Sequence, residues 1–374
     1  MTKALDKQCV AARLPPQEQD PDQPGESFMF ILLNKTIISC ACLVMLSACG
    51  GGGDGGGGGS IPPAASSSSS AAAVTDITAG NQSQVANTGI ASATVAINLA
   101  GANANPSSGS VGTLSLDQSS SLQAAVAEHV EARISRLVER ERATFALTAL
   151  TSSSTTACAG GGSYVLTETN ASSSGLTVGD TAAFVYANCI QNGLTLNGTL
   201  KLELKAFNAN QTNVAAGVTY TSLKVASGTT SLTYNGAYDF TRAEAANSTT
   251  YSVANGTLAA NFVSSGYTGT LQLSSISSTS VVPASGNITS NPVKLGLGAT
   301  IAGTSIGLQI EAQTPVVTTP SGAFVSGKLK ITGRGSVLYV TFLGSGSVTL
   351  DLDANADGTI DSTKTTTLAA LAAS

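Results

Sequence analysis

Apolar and polar residues alternate along most of the chain from Ser163 onward. Leu194, Leu196, Leu200, Leu202 and Leu204 are interleaved with Thr195, Asn197, Thr199, Lys201 and Glu203. A period of two is the mark of an antiparallel strand with one dry face and one wet face. Similar runs recur at 164–169, 182–187, 218–225, 231–240, 305–310, 328–340 and 347–352. Turn-forming clusters separate them at Ser172-Ser173-Ser174-Gly175, Ser285-Gly286-Asn287 and Pro320-Ser321-Gly322. No helical pattern interrupts the series, so residues 151–374 are expected to form an all-β unit: an antiparallel curved sheet, a barrel or a sandwich. The period changes only at 119–150. There Leu122, Val126, Val130, Ile134, Leu137, Val138 and Phe145 follow helical spacing, with Glu128, Glu131, Arg133, Arg136, Glu139 and Arg140 on other faces. This predicts one N-terminal amphipathic helix packed on the sheet, with docking to a partner as the other reading.

A short motif repeats within the alternating runs: Leu196-Asn197-Gly198-Thr199-Leu200, Tyr234-Asn235-Gly236-Ala237-Tyr238, Ala254-Asn255-Gly256-Thr257-Leu258 and Tyr267-Thr268-Gly269-Thr270-Leu271. Asn-Gly is a strong signal for a two-residue hairpin turn. A turn at Asn197-Gly198, however, would set Leu196 against Thr199 and mix the wet and dry faces. Read straight through, each glycine keeps phase with its apolar neighbours. The four glycines are therefore expected inside strands, where they bend the sheet. Their unequal spacing excludes a fixed-period solenoid.

The chain ahead of this unit has a different character. Residues 29–48 place Lys35 before an apolar run of about 13 residues, shorter than the roughly 20 a membrane span needs. The run ends in Leu46-Ser47-Ala48-Cys49, which resembles the lipobox of Gram-negative lipoproteins. The resemblance implies cleavage before Cys49, acylation of that cysteine, and retention at the outer membrane, since Gly50 and not Asp follows it. An ordinary signal peptide with an incidental cysteine is the alternative. Residues 1–28 are charged and Pro-rich, which suggests that translation starts at Met29, or else that the n-region is long. From Gly50 to Ala73 the chain is almost wholly Gly, Ser and Ala, the composition of a flexible coil. Residues 49–118 are therefore expected to be a tether, with 74–116 loose or contributing an edge strand.

Composition narrows the function. Only 10% of residues are charged, net charge is −5, and there is no tryptophan. Nucleic-acid binding needs a basic stripe with interleaved aromatics, and none is present. Of the six cysteines, Cys158 and Cys189 would remain in the mature β unit beside the acylated Cys49. In an oxidising compartment they are expected to pair, with free buried thiols or a redox couple as the alternatives. Bridging a loop of about 31 residues would stabilise the fold by roughly 3–4 kcal/mol.

Candidate chemistry centres on Asp353-Ala354-Asn355-Ala356-Asp357-Gly358-Thr359-Ile360-Asp361. Alternating oxygen donors followed by a glycine resemble the first nine positions of an EF-hand or dockerin calcium loop. The resemblance implies side-chain ligands from Asp353, Asn355 and Asp357, a carbonyl from Thr359 and a contact from Asp361. Lys364 stands where a bidentate acid is expected, and a plain Asp-Gly turn is the other reading. Residues 322–329 superficially match a phosphate loop, but Leu329 replaces the metal-binding hydroxyl. The only histidine is His129, so 151–374 offers none for a serine triad, and its few acids are scattered. The expectation is that the protein is not an enzyme.

Residues 256–262 and 267–271 are similar to hairpins in surface-lipoprotein barrels of the transferrin-binding type. Residues 179–189 with Leu196-Asn197-Gly198 resemble a pattern in uncharacterised Gram-negative lipoproteins. Two functions fit: a tethered binding or structural module that recognises a protein or envelope polymer, and a carrier holding a lipophilic ligand in a half-open barrel. A filled concavity favours the first and an apolar void the second.

Overall fold

The computed structural model describes residues 75–101, 151–170, 177–191, 193–208, 210, 212–264, 267–301 and 304–372. Cys49, the segments 1–28 and 29–48, and the helix expected at 119–150 lie outside these residues. The fold is all-β, as the alternation predicts: an unclosed, curved antiparallel sheet in which each strand pairs with its sequence neighbours. The strands are β1 (Thr151–Ala157), β2 (Ser163–Thr169), β3 (Thr181–Gln191), β4 (Leu194–Phe207), β5 (Asn213–Ser227), β6 (Thr230–Ala245) and β7 (Ser248–Ser264). They continue as β8 (Tyr267–Pro283), β9 (Ile288–Ile301), β10 (Thr304–Thr318), β11 (Phe324–Thr332), β12 (Val337–Gly344), β13 (Ser347–Asp353) and β14 (Ser362–Thr367). The run expected at 328–340 is thus two strands. Gly333 to Ser336 form the turn between them, with the Gly333 N–H donating to the Ser336 carbonyl.

Register follows the alternation. Leu200, Leu202 and Leu204 are buried on the inner face, opposite Tyr220, Val218 and Ala216 of β5, while Lys201, Glu203 and Lys205 are exposed. Each buried leucine is worth roughly 1.5–3 kcal/mol, enough to fix the pairing against a one-residue slip.

The four glycine motifs lie inside β4, β6, β7 and β8. Their neighbours form a line of left-handed backbone positions across six strands: Asn188, Gly198, Ser222, Gly236, Asn255 and Ser275. Each stands at or beside a register shift. The device is local. Asn197 faces the bulge at Ala187-Asn188 and accepts the Asn188 N–H at 2.9 Å. Asn235 faces the bulge at Thr221-Ser222 and accepts the Ser222 N–H at 2.8 Å. The glycine that follows each asparagine lets the next strand approach: a Cβ on Gly198 would lie 2.1 Å from the Ser222 carbonyl oxygen. Bulges aligned in this way increase local twist and curl the sheet. Gly269 lies in β8 as well, but in a regular stretch of its ladders, apart from the register shifts that begin at Ser274.

One element corrects the sequence reading. Residues 82–99, expected within the tether, form a helix, α1 (Gln82–Leu99), in which every residue except Ser83 and Gln84 is buried. It packs against β8 to β13 and a short C-terminal helix, α2 (Leu368–Ala372). The small residues that resemble a linker are those that let a helix settle against the sheet. A Cβ on Gly89 would fall 2.3 Å from the Ile331 Cδ1. Buried hydroxyls on α1 bond back to the helix itself: Thr88 to the Gln84 carbonyl, Ser92 to Thr88 and Thr94 to Ile90. The segment leading into α1 is clamped by the Gly307 N–H on the Thr75 hydroxyl and by the Ile77 N–H on the Ser336 hydroxyl.

Candidate functional site

The outer face of β4 to β7 carries a cleft of about 140 Å³. It forms because Gly217 on β5 presents no side chain between Glu203 on β4 and Asp239 on β6, its neighbours in register. The Lys205 stem lies over that gap, 2.9 Å from where a Gly217 Cβ would be, and its ammonium bonds to Asp239. Asn255 on β7 donates its side-chain N–H to the other Asp239 oxygen at 2.9 Å. Lys201, Val218, Thr219, Ala237 and Tyr238 complete the lining.

The electrostatics of this cleft are settled by those contacts. The Asn255 hydrogen bond, followed by that of Lys205, holds the Asp239 carboxyl below its ordinary value. The hydrogen bond to Asp239 raises the Lys205 ammonium above its own. Asp239 therefore stays ionised and suits an acceptor role better than proton donation. Both partners are largely solvated, so the ion pair adds at most about 1 kcal/mol to stability. In sequence, Glu203 and Asp239 are only two of several scattered acids, and the structure brings them to one cleft. Strand parity could have signalled this, because Lys201, Glu203, Lys205 and Thr219 all fall on wet positions of adjacent runs.

On the inner side of the same strands, the Tyr220 and Tyr238 hydroxyls meet at 3.0 Å. Burial pushes both phenols well up, so both remain neutral.

The 353–361 loop is built from the end of β13. Asp353 is buried and its two oxygens accept the Asp357 and Gly358 N–H groups at 3.1 and 2.9 Å. Asp357 accepts the Thr359 N–H at 2.8 Å and the Asn355 side-chain N–H at 3.0 Å, contacts that lower its carboxyl pKa. Asp361 reaches across the loop to the Ala354 N–H at 2.7 Å. Gly358 takes the positive φ of +90° that the sharp turn requires. Asp351 accepts the Thr363 hydroxyl at 2.8 Å instead of joining the loop. Among the described residues, no group of three or more His, Cys, Asp or Glu side chains is arranged to hold a metal ion.

Cys158 and Cys189 form a disulfide with their Cα atoms 5.4 Å apart. It ties the end of β1 to the bulge of β3.

No protein-family model, curated protein or solved structure matches this chain.

Proposed function

We propose that this chain is a membrane-anchored envelope lipoprotein whose β unit is a non-catalytic binding or structural module. The observation that carries the reading is the filled concavity: where α1 packs on β8 to β13, its buried side chains occupy the space a lipophilic cargo would need. That packing supports the tethered module over the carrier in a half-open barrel. The outer-face cleft supplies the recognition surface, where Lys201, Glu203 and Lys205 of β4 and Asp239 of β6 present interleaved charges of both signs. It suits an envelope polymer or protein that presents both charges or dense hydroxyls. The anchor is Cys49, at the outer membrane, with 50–73 giving reach. Calcium is proposed as a ligand of the 353–361 loop. Each carboxylate oxygen keeps a lone pair beyond the N–H it accepts, so Asp353, Asn355, Asp357, Thr359 and Asp361 can hold their turn contacts and a cation together.

The test is co-sedimentation of the full chain with isolated envelope polymer. Lys205→Ala and Asp239→Ala should each lower the bound fraction several-fold, with Thr349→Ala, on a distant strand, as control. Equal sedimentation of all three variants would remove the cleft from the proposal.

A further inference from the structure

β1 stands at one end of the sheet and buries none of its residues; six of its seven are exposed. A strand wet on both faces gains little beyond its ladder to β2, and such ribbons are marginal on their own. The protein nonetheless fastens this one covalently through Cys158. Among the described residues, its edge also lacks the usual guards. The sequence Thr151-Ser152-Ser153-Ser154-Thr155-Thr156-Ala157 has no charge and no proline, and its register with β2 is unbroken. At the opposite end, β14 carries Lys364, and the chain turns directly into α2.

The Cys158 N–H donates to the carbonyl of Gly162, the residue opposite it. Antiparallel ladders alternate, so Ser152, Ser154 and Thr156 exchange hydrogen bonds with β2. Thr151, Ser153, Thr155 and Ala157 therefore aim their N–H and C=O groups outward.

We propose that the β1 edge is an interface between two copies of this chain, with β1 pairing antiparallel to its counterpart about a two-fold axis at Ser154. In that register Ser153 faces Thr155 of the second copy, and Thr151 faces Ala157, so outward groups meet outward groups. Ser152 faces Thr156, and Ser154 faces itself at a non-hydrogen-bonded position. A second copy is favoured over a foreign peptide on two counts. Ser and Thr pairs across strands are mutually favourable, and an uncharged edge does not repel itself. Peptide recognition by strand addition draws its specificity from side-chain pockets, and the solvent-exposed faces of β1 supply none.

The experiment uses the full chain in mild detergent. Light scattering should give a dimer, and Ser154→Cys should cross-link under mild oxidation into a covalent dimer, whereas Ser152→Cys should not. Ser154→Lys should yield monomers that still unfold cooperatively, because the position is exposed. Mixing Ser154→Lys with Ser154→Asp should restore the dimer as a mixed pair. A monomeric wild type at every concentration overturns the proposal, and so does cross-linking at 152 equal to that at 154. A dimer that survives Ser154→Lys also overturns it and places the interface elsewhere.

Discussion

Asn197 and Gly198 divide one task between them. The amide closes the bulge on β3, and the bare Cα admits the β5 carbonyl. Because Gly198 has φ of +94° and no room for a Cβ, Gly198→Val combines backbone strain with a steric clash. It should cost about 2–5 kcal/mol in chemical denaturation. A loss under about 1 kcal/mol would argue against the close approach. Asp239 offers a check that does not depend on stability. Its carboxyl should titrate below the ordinary 3.8 in a side-chain carbon NMR experiment, and Asn255→Ala should move the midpoint up towards that value. Since the folded value is the lower one, this contact's stabilisation is present above about 3.8 and is lost as pH falls through the folded value. A midpoint unmoved by Asn255→Ala would contradict the assignment. In the 353–361 loop, millimolar calcium should raise the melting temperature, and Asp357→Ala should abolish that rise. Identical melts with calcium and with chelator would leave a hydrogen-bonded turn.

Strands and helix differed in how far the sequence disclosed them. The strand unit was legible because a half-buried strand writes its geometry as a period of two, as Leu200 to Glu203 show. The same phase rule placed Gly198, Gly236, Gly256 and Gly269 within strands. The helix α1 was illegible for the converse reason: buried on nearly every side, it has no wet face to create a period of 3.6. Its Gly, Ala, Ser, Thr and Asn content also matches a linker. The Asp239 cleft escaped because its members come from four strands and meet only through register. The helix makes its own prediction at Gly89. Alanine there favours helix by about 1 kcal/mol yet drives a methyl into Ile331. Gly89→Ala should therefore destabilise the wild type and do so clearly less, or even stabilise, in an Ile331→Val background. Additive effects of the two substitutions would mean that helix and strand are not in tight contact.

At the scale of the whole molecule, the proposed anchor and the sheet answer to separate tests. Cys49→Ala should accumulate a precursor that is neither cleaved nor acylated, as read by mass spectrometry. Normal processing of that variant would remove the lipoprotein reading and leave the β unit untouched. The order of the elements carries a further consequence. Every strand finds its neighbours within a hairpin's reach, so the sheet can assemble stepwise through local contacts. The helix cannot. Thr75 binds Gly307 from 232 positions away, Ile77 binds Ser336 from 259, and Ser83 meets Lys364 from 281. Under the proposed export, a chain threaded across a membrane from its N-terminus would deliver α1 first and the wall that receives it last. For the whole of that passage the helix has no seat, and the protein acquires its completed interior only when its final strands arrive.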